Sequence, residues 1–297
     1  MTTFTLLGVP IDSVGRSGGT EHAPAAFRDL TRDDDPWNTD AGDLDVRIRG
    51  EARDPSSGVI AIDDVLDTTR RLAGAVADLT AEGAVVFAMG GCCALLPGAL
   101  AGAQRTFGRV GLAYLDGHLD LYDGRTSPTG EAADMPISVI LGRGPAVWVE
   151  AAGDVSRPED VTLLVPRDLD EALTYGHPHP NEIPGLSFVD ADRVRRDGAA
   201  VIGQQVAERV GRDPGRLWVH LDVDVLDEVV FPATDYLDPN GLDLTQLTDL
   251  LTPLLRSPAL VGFSVGCYNP DKDPDGASGR ALADVIRTAI SDAGVLP

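Results

Sequence analysis

Two short apolar runs in this chain end in clusters of acid. Val110-Gly-Leu-Ala-Tyr-Leu115 leads into Asp116-Gly-His118-Leu-Asp120, and Leu217-Trp-Val-His-Leu221 leads into Asp222-Val-Asp224-Val-Leu-Asp227. Runs this continuously apolar fit strands buried on both faces, the habit of a parallel sheet covered by helices. Residues 4–9, 84–89, 161–165 and 260–265 have the same character. Between the runs lie amphipathic stretches at residues 63–82, 93–107, 244–256 and 279–293. The first is punctuated by Ile62-Asp63-Asp64 at its start and Gly83 at its end, as helices are. Alternation of this kind predicts an α/β fold of three layers, αβα, with a mainly parallel central sheet. Ligands of such folds bind beyond the carboxyl ends of the strands. Both acidic clusters fall there, and so do Gly90-Gly91-Cys92-Cys93 and Cys267-Tyr-Asn-Pro270.

Alternate residues of a strand share a side. Asp116, His118 and Asp120 therefore project together, as do Asp222 and Asp224. Carboxylates converging in a low-dielectric crevice repel unless a cation neutralises them. The economical expectation is a site for one or two divalent metals, and oxygen ligands with one imidazole suit Mn²⁺. A lone Asp-x-His or Asp-x-Asp is more often a solvated loop or a helix cap, so the weight rests on two clusters placed alike. Cys93, just past the glycine turn, is open to two readings: a thiolate ligand or an inert buried cysteine. His177 and His179 sit in a Pro-rich stretch that reads as a solvated loop, within residues 174–186; residues 33–55 form a second such loop. Other chemistries fit less well. A Cys92 or Cys93 nucleophile paired with His118 would leave the carboxylates without a purpose. The clustering is also denser than a glycosidase pair needs.

At 297 residues and 43% hydrophobic, the chain can bury a sizeable core, and no linker or repeat divides it. A single domain over residues 1–297 is the expectation. The formal charge of −23 argues against nucleic acid and anionic membrane surfaces. It favours, weakly, small cations such as guanidinium compounds. The amino terminus lacks a secretory pattern, and no apolar stretch reaches the ~20 residues of a membrane span. Three cysteines, two of them adjacent, do not make a disulfide framework. A cytoplasmic protein is expected.

These motifs together resemble the ureohydrolase superfamily, which includes arginase, agmatinase, guanidinobutyrase and formimidoylglutamase. Leu7-Gly-Val-Pro-Ile-Asp12 with Ala23-Pro-Ala-Ala-Phe-Arg28 looks like the family's opening segment. Gly90 to Ala94 stands in place of Gly-Gly-Asp-His-Ser. Asp116 to Asp120 resembles Asp-Ala-His-x-Asp, and Asp222 to Asp227 resembles Asp-x-Asp-x-x-Asp. Arg167-Asp168-Leu-Asp170 and Tyr268-Asn-Pro270 match the intervening loop and the last strand's exit. The resemblance implies an arginase-like fold and two Mn²⁺ per chain. Asp116 and Asp222 would bridge the ions, with Cys93 and Asp120 on the first and His118 and Asp224 on the second. Asp120 would also carry the proton to the leaving amine. Three positions depart from the pattern. Cys92 and Cys93 replace the Asp and His of the first motif. Ala133 stands where arginases carry a His, and Cys267 stands where the last strand carries a Glu. Glu131, Asp134, Asp170 and Cys267 are the candidate substrate contacts, with Glu131 also a candidate catalytic group. The implied function is hydrolysis of a guanidino or amidino C–N bond by a homotrimer or hexamer. The alternative is a non-catalytic relative with a degenerate metal site, structural or ligand-binding.

Overall fold

The computed structural model describes residues 3–15, 18–153, 156–177 and 179–291. Eight strands form one sheet: β1 (Thr3–Val9), β2 (Thr39–Asp43), β3 (Ala84–Gly90), β4 (Gly111–Leu115), β5 (Val161–Leu164), β6 (Ser187–Val189), β7 (Leu217–Asp222) and β8 (Leu260–Gly266). Their order is β2-β1-β3-β8-β7-β4-β5-β6, and every neighbouring pair is parallel.

Alternation along the strands divides the core in two. Phe4, Leu6, Val85, Phe87, Met89 and Val219 pack on one face, against the helices Ala199–Arg212, Leu244–Leu255 and Ala277–Ser291. Leu7, Val9, Val86, Ala88, Tyr114 and Trp218 pack on the other, against Ile62–Ala81 and Leu96–Phe107. Strands covered on both faces have no solvent side to make polar, which is why they read as unbroken apolar runs. The expected three-layer αβα architecture is the observed one, and its sheet is parallel throughout.

Two of its strands escaped the sequence. β2 lies inside the expected loop of residues 33–55. Its five residues, Thr-Asp-Ala-Gly-Asp, are all exposed, so an edge strand here shows no apolar signal. β6 has only three residues, too few for a period. The helices Ala23–Thr31, with Pro24 in its first turn, and Ala199–Arg212 also lie outside the expected helical stretches. The stretch expected as one helix from Cys93 begins with a 3₁₀ turn, Cys93–Leu95, before Leu96–Phe107. The last helix ends its described part at Ser291, so residues 292 and 293 of the expected stretch lie outside the described residues.

Register sets the level of the strand ends. Met89 faces Val265, Val265 faces Leu221, and Leu221 faces Leu115 across the adjacent strands β3, β8, β7 and β4. The next residues out of each strand therefore emerge side by side. Gly91 makes the first turn possible. A Cβ there would lie 1.5 Å from the Ile11 carbonyl oxygen. Its N–H donates to Val9 O (3.0 Å), and its carbonyl accepts from Cys267 N–H (2.6 Å). The exits of β1, β3 and β8 are thus laced together at one glycine.

Candidate metal centre

A pocket opens over these four strand ends. Cys93, Asp116, His118, Asp120, Asp222, Asp224 and Cys267 all line it. The two acidic clusters, roughly a hundred residues apart in sequence, meet on its floor. His118 Nδ1 lies 3.0 Å from Asp224 Oδ2 and 3.5 Å from Asp116 Oδ1. Cys93 Sγ lies 2.8 Å from Asp222 Oδ2 and 3.7 Å from Asp116 Oδ2.

Backbone donors and one arginine hold the carboxylates in place. Asp116 Oδ1 accepts from His118 N–H (2.6 Å), and Asp222 Oδ1 from Asp224 N–H (2.8 Å). Asp224 Oδ1 accepts from Gly117 N–H (2.9 Å), which stitches the two clusters together. The Arg167 guanidinium donates to the carbonyls of Asp224 (2.6 Å) and Val225 (3.3 Å). Asp227 belongs to the turn that follows, accepting from Val229 and Asn240 N–H.

The electrostatics are those of carboxylates crowded at one buried place. Burial and then the Asp224 charge push Asp116 up to about 6. Burial, then Asp224 and Asp116, raise Asp222 well above the carboxylate range. Burial also opposes charge on His118, but Asp224 and Asp116 outweigh it and hold the imidazole well above its ordinary value. Asp224 gains most from that pairing. Burial lifts it, yet His118, Gly117 N–H and Arg167 bring it below 3.8. Proton and His118 together do what an ion would do better. The ligand atoms of Asp116, His118 and Asp224 lie within 4.8 Å of one another, as do those of Cys93, Asp222 and Cys267. Both donor sets fit divalent metal, the first by oxygen and imidazole, the second by sulfur and oxygen.

Asp120 is placed differently. It lines the same pocket but belongs to neither donor group. Its backbone is left-handed, at φ 49°. Its Oδ2 accepts a short hydrogen bond from the buried Tyr114 hydroxyl. Burial, then the Asp116 charge, raises its carboxyl well above the usual range.

Carboxylates continue up the wall. Glu131 Oε2 accepts from the Tyr236 hydroxyl (3.0 Å), and burial followed by Asp134 pushes it to about 7. Asp134 accepts from Ser127 Oγ (2.7 Å) and Thr129 Oγ1 (2.5 Å). Asp170 is the exception among the expected contacts. It is exposed on the helix Leu169–Thr174 and does not line the pocket. Asp168 and Glu171 do. Residues three apart share a helix face, and Asp170 falls off it. Asp168 is buried, and burial raises it to about 6.

Sequence reading also missed His220 and Tyr114. His220 Nε2 lies 3.1 Å from Cys93 Sγ, and its ring stacks on Tyr114 at 5.1 Å. A histidine inside an apolar strand reads as core, but parity was an available signal. His220 and Tyr114 stand two residues before Asp222 and Asp116, on the same faces of β7 and β4. His177 is not the solvated loop residue expected. It is buried with its ring 4.1 Å from that of Tyr122.

Comparison with known proteins accords with this arrangement. The family model described as the arginase family matches residues 2–291. An arginase from Agrobacterium fabrum is 24% identical over 294 residues, covering 96% of this chain and 90% of the relative. The arginase from Bacillus caldovelox superposes with a TM-score of 0.88 at 22% identity, over 98% of each chain. A formimidoylglutamase from Bacillus subtilis superposes at 0.77 with 17% identity, over 100% of this chain and 88% of that one. All the described residues, acidic strand ends included, lie within the family match, and the chain belongs to the arginase family of ureohydrolases.

Proposed function

We propose that the chain is a metal-dependent hydrolase that cleaves a C–N bond of a linear guanidino or amidino compound. The convergence of Asp116, His118, Asp222, Asp224 and Cys93 on one buried pocket floor carries this reading. A divalent pair bound there supplies Lewis acidity and a water acidic enough to ionise near neutral pH. Asp116, in the first donor group, and Asp222, in the second, would hold the ions together with their neighbours. His118 and Asp224 hold the oxygen-rich position, which suits Mn²⁺. Cys93 would hold the other, and Asp120 lines the same pocket outside both groups.

The remaining residues bind substrate and move protons. Glu131 and Asp134 face a guanidinium entering the pocket, joined by Asp168 and Glu171 rather than by Asp170. Asp120, with its raised affinity for protons and the Tyr114 hydroxyl beside it, takes a proton from the attacking water. It returns that proton to the leaving amine. The unit acts as one domain, in the cytoplasm, as a homotrimer or hexamer. Among the described residues no helix is long and apolar enough to cross a membrane.

A second reading rests on Cys92 and Cys93, which replace the Asp and His of the first motif: a non-catalytic family member that binds ligand or metal. One experiment separates the two. Urea or ammonia release is measured across guanidino and amidino compounds with the full chain loaded with divalent metal. Release from at least one compound, lost in Asp222→Asn, supports the hydrolase. No release from any compound by metal-loaded protein supports the second reading.

A further inference from the structure

We propose that Cys93, Cys267 and Asp222 form a thiolate-rich metal position that takes a soft divalent ion, Zn²⁺ in preference to Mn²⁺, with its open side toward the pocket. This deepens the proposed function at the first of its two metal positions and rests on that reading only for the presence of a metal there. Cys267 then becomes a ligand rather than a substrate contact.

The sulfur–sulfur spacing suits a small tetrahedral ion. Cys93 Sγ and Cys267 Sγ are 3.8 Å apart. Two sulfurs on a tetrahedral zinc, each at about 2.3 Å, are separated by roughly 3.8 Å. Asp222 Oδ2 is 2.8 Å from Cys93 Sγ, and the three ligand atoms lie mutually within 4.8 Å. The three residues leave adjacent strands of the sheet: Asp222 ends β7, Cys267 follows β8, and Cys93 follows the β3 turn. All three line the pocket. Three protein ligands with a fourth direction open is the pattern of a reactive zinc site, whereas structural sites are closed by a fourth protein ligand.

The surroundings are built toward sulfur. Cys267 holds a left-handed backbone at φ 66°, uncommon for a residue with a Cβ. Its N–H donates to Gly91 O at 2.6 Å, which fixes the sulfur over the floor. The wholly buried His220 presents Nε2 to Cys93 Sγ at 3.1 Å. Its Nδ1 lies 2.7 Å from Ser264 Oγ, which also accepts from Trp218 Nε1 at 3.0 Å. Such outer hydrogen bonds orient ligands and tune a metal. Cys93 Sγ thus has a buried carboxylate at 2.8 Å and a buried imidazole at 3.1 Å, polar neighbours that a sulfur packed among aliphatic side chains lacks. The two donor groups differ in kind. Asp116, His118 and Asp224 are hard, and Cys93 with Cys267 is soft, so the pair would be mixed rather than two Mn²⁺.

Cobalt substitution of the full chain, kept reduced, tests the position. Co²⁺ bound by thiolate gives a near-ultraviolet charge-transfer band. The band should appear in the parent, fall by about half in Cys93→Ser and in Cys267→Ser, and vanish in the double variant. It should persist in His118→Ala. A second measurement needs no variant: mass-spectrometric alkylation with and without Zn²⁺. Zn²⁺ should slow labelling of both Cys93 and Cys267 by roughly tenfold or more, and equimolar Mn²⁺ should slow it less. Cobalt bound without a thiolate band, or Cys267 labelled equally with and without Zn²⁺, overturns the proposal. So does hydrolysis by cobalt-loaded protein that lacks the band. A thiolate band in protein that hydrolyses no guanidino compound supports the position and counts against the hydrolytic reading alone.

Discussion

Under the proposed function, Glu131 is where charge, pH and substrate would meet most simply. Its carboxyl is pushed to about 7, first by burial and then by Asp134, against the pull of the Tyr236 hydroxyl. Only its ionised form attracts a guanidinium. Substrate affinity should therefore weaken as pH falls through about 7. In Glu131→Gln that pH dependence should be absent. KM should rise roughly 10- to 100-fold, the equivalent of a charge-assisted hydrogen bond of about 1.5–3 kcal/mol. KM measured against pH in both proteins checks this, and an unchanged profile in the variant would remove Glu131 from the substrate site. At this scale the sequence disclosed the residues whose chemistry is unmistakable in a row: Asp116, His118, Asp222 and Asp224. It did not disclose those that act through position. His220 and Tyr114 are hidden in apolar strands. Asp168 and Asp170 differ only in which way a short helix turns them.

Elements explain why the floor forms at all. Four parallel strands ending in register deliver their next residues to one place, and the Gly91 turn lets β1, β3 and β8 close above it. A methyl at residue 91 has no room against Ile11. Gly91→Ala should cost about 2 kcal/mol or more in urea unfolding, and should weaken metal binding with it, because the backbone must move at the site. Asp243 offers the contrast. It caps the helix Leu244–Leu255 in a reciprocal capping box with Gln246 and does not line the pocket. Asp243→Ala should cost about 1 kcal/mol and leave metal content unchanged. Metal loss in that variant would mean that the site answers to global stability rather than to its own turn. Buried strands were legible because burial on both faces writes itself into composition, and four long helices were legible by their period, whereas the amphipathic Ala199–Arg212 lies outside the expected stretches. β2 and β6 were not, because an exposed or three-residue strand is held by backbone hydrogen bonds that leave no mark on side-chain choice.

The whole molecule must tolerate its own acidity. Asp116 and Asp168 are raised from 3.8 to about 6, and Glu131 from 4.5 to about 7. Each raised carboxylate binds protons more tightly folded than unfolded. Stability of the metal-free protein should therefore be greatest at the acid end of this window and fall as pH rises from about 4 through about 7. His118, also raised, adds in the same direction, and Asp224, lowered, works against it. Bound cations replace those protons, so saturating divalent metal should lift the melting temperature most at high pH. Scanning calorimetry at several pH values, with and without metal, checks both slopes. A metal-free stability that rises with pH would contradict the electrostatics described.

The central claim is that two sequence-distant acidic clusters form one centre for divalent metal, in which Asp222 is a ligand. Elemental analysis of the purified, metal-loaded chain and of Asp222→Asn tests it most directly. The parent should hold about two divalent ions per chain, and the variant at most one. Metal should also raise the variant's melting temperature by less than the parent's. Equal stoichiometry and equal metal-induced stabilisation in the two proteins would contradict a centre that Asp222 joins.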